Sequence, residues 1–264
     1  MNDEPPLIEF IDVSVRVRGE SLLAGVTLAI AREHIHLIVG PNGAGKTTTL
    51  RSIAGIIAPT RGQIRIAGHD LATEPVKAKG QLAFIPDEPQ LFDYLTVEEH
   101  LRFIGRLYGV AEAPARIPRL LHELELEEKR LALPTELSRG MRQKLAIACG
   151  LLHEPGALIL DEPLTCLDPA GMRKMRVTIA ARARAGAAVI LSSHLLHLVE
   201  ELCTKLLVIH RGRAVAYGTF AEIVADRPQL AGRGLEDVFL ALTGDGDSAA
   251  PARPVSASGQ EPGA

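Results

Sequence analysis

The sequence predicts an α/β fold, with a parallel sheet core, a small antiparallel β layer and an inserted block of helices. Three observations predict it. A glycine-rich loop, Gly40-Pro41-Asn42-Gly43-Ala44-Gly45-Lys46-Thr47-Thr48, joins an apolar run to a helix-forming one. From Ala157 onward short apolar runs alternate with helical stretches, the pattern of a parallel sheet covered by helices. Between them, from Thr96 to about Leu152, apolar residues fall at helical spacing.

Taken in order, Leu7 to Val17 and Val26 to Val39 carry stretches of period-two apolar spacing. Arg61-Gly62 and Gly68-His69 flank a strand at Gln63 to Ala67, which completes the antiparallel layer. The run Ile35 to Val39 is a buried strand that enters the loop, and Lys46 to Ala54 is the helix that leaves it. Val97, Leu101, Ile104 and Leu107, then Ile117, Leu120 and Leu121, mark the helical block. Strands follow at Ala157 to Leu160, Val189 to Ser192 and Leu206 to His210. The last of these turns through Arg211-Gly212-Arg213 into Ala214 to Tyr217 as a hairpin. This organisation gives one domain over residues 7–242, with the helical block at about 94–155. A Gly-, Ala-, Ser- and Pro-rich tail at 243–264 is expected to be disordered.

Bulk properties narrow the function. A net charge of −3 with no basic stripe argues against nucleic acid as a partner. Three scattered cysteines, Cys149, Cys166 and Cys203, suit a reducing compartment. The acidic N-terminus is unlike a signal peptide, and no apolar run is long enough to span a bilayer. A cytoplasmic protein is expected, reaching a membrane only through a partner.

The loop fills the pattern G-x-x-x-x-G-K-[ST] at Gly40, Gly45, Lys46 and Thr47. Glycines let backbone N–H groups close on phosphate oxygens, because they carry no Cβ. Lys46 is expected to place its charge on the β- and γ-phosphates, and Thr47 to offer its hydroxyl to Mg²⁺. The helix that follows points its positive end at the anion. A second motif, Ala157 to Pro163, is an apolar strand ending in Asp161 and Glu162. Downstream of a phosphate loop, Asp161 is expected to hold the Mg²⁺ shell and Glu162 to polarise a water for attack on the γ-phosphate.

In these motifs the chain resembles the ATP-binding subunit of an ABC transporter, a P-loop NTPase with a RecA-like core. The phosphate loop at Gly40 to Thr48 is followed by a signature segment at Leu137-Ser138-Arg139-Gly140-Met141-Arg142-Gln143-Lys144-Leu145. The acid strand, then Leu167-Asp168-Pro169 as D-loop and His194 as switch histidine, complete the ordered set over residues 7 to 242. The resemblance implies two subunits, as a homodimer or with a paralogue, sandwiching two ATP molecules head to tail. Pro41, Asn42, Gly43, Ala44 and Thr48 then belong to the nucleotide cradle. Ser138 and the Gly140 backbone reach the γ-phosphate bound by the partner, Gln143 helps hold their helix, and His194 contacts the γ-phosphate and links to the partner's Asp168. It also implies an integral membrane permease, docked near Leu91 to Leu101, and a location on the inner face of the cell membrane.

Two positions depart from the family pattern. Asp87, in Pro86-Asp87-Glu88-Pro89-Gln90, stands where the Q-loop glutamine is expected. An aspartate can ligate Mg²⁺ but cannot donate a hydrogen bond when ionised. An unshielded carboxylate about 4 Å from phosphate costs about 4 kcal/mol at an effective dielectric near 20, and direct metal contact reverses the sign. Val17 stands where an adenine-stacking aromatic is usual, which predicts weaker base discrimination.

The Ser-Arg-Gly-Met-Arg-Gln signature, the Pro-Asp-Glu-Pro segment and the closing Gly234 to Phe239 resemble the branch serving small exporter-type permeases. A soluble ABC ATPase without a permease is the alternative. The long coiled coil of the DNA-repair type and the second domain of the translation-associated type are not found in this sequence, and a kinase or GTPase gives no reason for Leu137 to Met141. His34, His36 and His197 read as packed or surface histidines rather than metal ligands, and Glu123 to Glu128 as a solvated helix end.

Overall fold

The computed structural model describes residues 5–195 and 202–244. Two sheets organise it. The first is antiparallel, in the order β2-β1-β4-β5, from β1 (Ile8–Val17), β2 (Glu20–Ile30), β4 (Arg61–Ile66) and β5 (His69–Asp70). The second has the order β10-β9-β3-β8-β7-β6. In it β3 (Ile35–Val39), β6 (Leu82–Ile85), β7 (Ala157–Asp161), β8 (Ala188–Ser192) and β9 (Lys205–His210) run parallel. β10 (Arg213–Gly218) closes one edge antiparallel to β9, as the hairpin reading expects.

The parallel strands read as continuous apolar runs because both faces are covered. Along β3, Leu37 and Val39 pack into one core while Ile38, between them, packs into the other. The second core lies under the antiparallel sheet, around Phe10, Leu28, Ile30 and Ile53. Ile53 belongs to α1 (Lys46–Ile53), and a short helix, α2 (Pro75–Gly80), links β5 to β6. The first core extends into the helical block, formed by α3 (Val97–Leu107), α4 (Ala113–Glu123) and α5 (Arg139–Leu151). Thr96 starts α3 with a reciprocal capping box to Glu99.

Sequence and structure differ in places. β2 begins at Glu20, not Val26, because Arg18 and Gly19, both at positive φ, make a two-residue hairpin turn. Pairing passes from Val13↔Val26 to Val15↔Leu23, so the strand bulges near Ala24-Gly25 and the alternation breaks there. The acidic run is not simply solvated. Glu123 accepts from Thr178 and Arg182, and Glu125 from Lys144 and Lys174, tying the end of α4 to α5 and to α6 (Pro169–Arg184). Those two lysines hold the Glu125 carboxyl down at about 2. The helix α8 (Leu235–Thr243), after the short α7 (Phe220–Ala225), carries order to Gly244, while the rest of the proposed tail and His197 lie outside the described residues. No helix among the described residues is long and apolar enough to cross a membrane.

Candidate nucleotide site

Parallel strands deliver their C-terminal ends to one edge, and the site is built there. β3 leads into the loop at residues 40–45, β7 ends at Asp161, and β8, lying between them in the sheet, ends at Ser192. The helix that leaves the loop, α1, starts with Gly45 at φ +113 and has no side-chain cap and no acidic residue in its first turn. Its N-terminal amides are therefore free of the usual internal anion, which suits a phosphate.

Close approach fixes the glycines. A Cβ at Gly40 would stand 2.3 Å from the Ile209 carbonyl oxygen, and one at Gly45 2.8 Å from Leu23 Cδ2. Gly43 sits at φ +78 with open space around it. Ala44 accepts from Gly212 N–H at 2.8 Å, so the β9–β10 turn braces the loop from behind. Lys46 Nζ donates to the carbonyls of Gly40 at 2.7 Å and Pro41 at 3.3 Å, lying across the loop. Burial pushes its ammonium down from the ordinary value, and the Glu162 and Asp161 carboxylates oppose that, which puts both acids within electrostatic reach of the lysine. Thr47 and Thr48 are half-buried in the first turn of α1.

Asp161 is buried and takes a hydrogen bond from Ser192 Oγ at 2.6 Å. Glu162 N–H donates to the same Ser192 oxygen at 3.0 Å. Glu162 itself is left-handed, at φ +51, which turns its carboxylate away from the strand line. That carboxylate receives His194 Nδ1 at 2.8 Å and the His194 backbone N–H at 3.2 Å. Ser192 is the residue that sequence reasoning missed. It looked like the last residue of a strand, and only its register opposite Asp161 reveals the role.

The signature serine and the D-loop aspartate stand at the starts of α5 and α6. Ser138 caps α5, its hydroxyl accepting from Met141 N–H at 3.2 Å, and Asp168 caps α6, accepting from Gly171 N–H at 3.0 Å. The two caps are neighbours: a Cβ at Gly140 would meet the Cys166 carbonyl oxygen at 2.8 Å. Gln143 is buried and donates to the Pro86 carbonyl at 3.5 Å, as expected of a residue holding its helix. Asp87 lies beside that carbonyl, with one oxygen 3.9 Å from Arg139 Nη2. Val17 ends β1 at the hairpin, partly exposed.

The donor set fits a Mg·ATP complex. Among the described residues no group of three or more His, Cys, Asp or Glu forms a metal cage. Mg²⁺ needs none: it commonly takes one or two protein oxygens with substrate phosphates and water. Asp161, held through one oxygen by Ser192, and the Thr47 hydroxyl are oxygens that could serve in this way.

Comparison with known proteins agrees with the geometry. The family model described as ABC transporter matches residues 23–165. The ABC-type transporter ATP-binding protein EcsA of Bacillus subtilis is 34% identical over 239 residues, covering 90% of this chain and 96% of its own length. The Nod factor export ATP-binding protein I of Paraburkholderia xenovorans is 35% identical over 220 residues, covering 83% and 72%. A solved structure described as the ATP binding subunit of an ABC transporter superposes with a TM-score of 0.85 at 37% identity, covering 89% of this chain and 99% of that one. With the phosphate loop, acid strand and signature helix placed as described, the chain belongs to the ABC transporter family, as one of its ATP-binding, ATP-hydrolysing subunits.

Proposed function

We propose that this ATPase powers export through a membrane permease, with two such subunits closing on ATP at the cytoplasmic face of the cell membrane. The observation that carries the chemistry is the convergence of Lys46, Asp161 and Glu162 at one sheet edge, with His194 bonded to Glu162. Gly40 to Thr48 would bind the phosphate chain, through loop amides and the Lys46 charge. Thr47 and Asp161 are the residues we assign to Mg²⁺, which when bound would supply charge neutralisation to the phosphate chain. Asp87 is the third donor that the sequence offers.

Glu162 would accept a proton from the attacking water through the oxygen that His194 leaves unengaged. With Nδ1–H directed at Glu162, His194 Nε2 can donate to a phosphate oxygen only as imidazolium. Ser138 and Gly140, at the N-terminus of α5, would close on the γ-phosphate held by the second subunit, with Asp168 facing its His194. Loss of one such preorganised donor commonly costs about 10²–10³-fold in rate.

The permease is assigned to a groove of about 260 Å³ between the loop after β6 and the helical block. Phe92, Phe103 and Tyr108 line it and remain partly exposed, and the adjacent Tyr94 is 92% exposed. An exposed aromatic patch of this kind suits a protein partner. Export is supported by relatives named for Nod factor export, linearmycin resistance and daunorubicin resistance.

The test is ATP hydrolysis in detergent with and without the candidate six-helix permease. Stimulation and co-purification are expected, and Phe103→Asp should abolish both while single-chain ATP binding stays intact. Hydrolysis indifferent to any permease would leave a soluble ATPase instead.

A further inference from the structure

The signature helix α5 begins with a charge at the wrong end. Arg139 is its first residue, and no acid follows in the first turn. A cation there opposes the helix dipole, which favours anions at the N-terminus. The missing negative charge arrives from another element. Asp87 Oδ1 lies 3.9 Å from Arg139 Nη2, and that oxygen is buried with no hydrogen bond, so Arg139 is its compensating partner. One turn further along α5, buried Gln143 reaches the carbonyl of Pro86, the residue before Asp87. Two consecutive residues of the β6 loop thus hold two residues one turn apart on α5. β6 pairs in parallel with β7, through Ile85↔Leu160, so this loop leaves the sheet at the same edge as Asp161 and Glu162.

We infer that Asp87 is a positioning residue that acts through Arg139, an ionic strut fixing the start of α5 relative to the nucleotide edge of the sheet. The strut sets where Ser138 and the Gly140 amide stand when two subunits meet, and in that respect it rests on the proposed paired mechanism. An ionised aspartate suits this role because it has no hydrogen to donate and Arg139 needs none. The neutral glutamine usual at this position would leave the arginine without a countercharge. With side chains 52% and 42% exposed the strut is weak and releasable, not a lock.

Hydrogen exchange of the amides of residues 141–145 in the nucleotide-free full chain tests it. This measurement needs neither turnover nor pairing, so its failure would leave the ATPase reading standing, and the reverse. Asp87→Asn should raise exchange about two- to fivefold, the range of a partly exposed ion pair. In an Arg139→Gln background the same change should do nothing, whereas in an Arg139→Lys background the effect should persist. Asp87→Glu should restore protection. An Asp87→Asn effect of equal size with and without the Arg139→Gln substitution, or none in either case, would overturn the strut. So would a tenfold or larger rise in the Mg²⁺ concentration needed for ATP binding by Asp87→Asn, which would put the carboxylate on the metal.

Discussion

His194 Nδ1 lies 2.8 Å from Glu162 Oε2, and the His194 backbone N–H reaches the same oxygen at 3.2 Å. The acid at the end of β7 is thus gripped twice by the segment after β8. Its left-handed backbone, which for a non-glycine residue costs on the order of 1–3 kcal/mol, is what brings the carboxylate to that grip.

Glu162→Gln keeps the length of the side chain and a carbonyl oxygen that can still accept from His194. It removes only the ability to take up a proton. Turnover is expected to fall by about 10²–10⁴-fold, while ATP affinity stays within a few fold. Single-turnover hydrolysis together with equilibrium ATP binding separates the two. Hydrolysis near the wild-type rate would take the base role away from Glu162.

Ser192 bridges two acids with one oxygen, donating to Asp161 and accepting from Glu162 N–H. Ser192→Ala leaves Asp161 without the bond that fixes its orientation. Partners of this kind behind a metal-binding carboxylate are typically worth about 10–100-fold in metal affinity or activity. The Mg²⁺ concentration at half-maximal ATP binding should rise by about that factor. An unchanged midpoint would mean that Asp161 is held by other contacts.

Much of this site was legible because its chemistry is local. The loop from Gly40 to Thr48 and the acids after Leu160 are contiguous, and each residue type is dictated by phosphate or metal geometry. Ser192, Arg139 and the Glu123–Glu125 clamp were not legible, because their meaning depends on partners 31, 52 and up to 59 residues away in the chain. Among elements, β3 and β7 stood out as apolar runs buried on both faces, whereas β2 was blurred by its bulge and by a turn at Arg18-Gly19.

Val17 ends β1 at an exposed hairpin, with no aromatic ring of its own to offer a base. Stacking on an aliphatic side chain forgoes on the order of 1 kcal/mol of ring interaction. ATP and GTP should then be hydrolysed at rates within about fivefold of each other, and Val17→Tyr should tighten ATP binding by a similar factor. A wild-type preference for ATP of a hundredfold or more would show that the base is recognised elsewhere.

His36 supplies the clearest pH dependence of stability. It sits on the fully buried strand β3, tilted against the Tyr217 ring and within 3.4 Å of its hydroxyl. Burial, with lesser repulsion from Lys205 and His34, pushes its imidazole from 6.5 down to about 3. The unfolded chain takes up a proton there below about pH 6.5, whereas the folded chain stays neutral down to about pH 3. The unfolded state therefore binds more protons across that window, and stability falls as pH falls through it. At 1.36 kcal/mol per unit, the drop from this one group between pH 6.5 and 5 is about 2 kcal/mol. Urea unfolding at both pH values should show His36→Leu losing less stability than the wild type, by about that amount. His153, whose imidazole burial also pushes down, stays in both proteins and cancels from the difference. Equal losses in the two proteins would mean that His36 takes up its proton in the folded state without penalty.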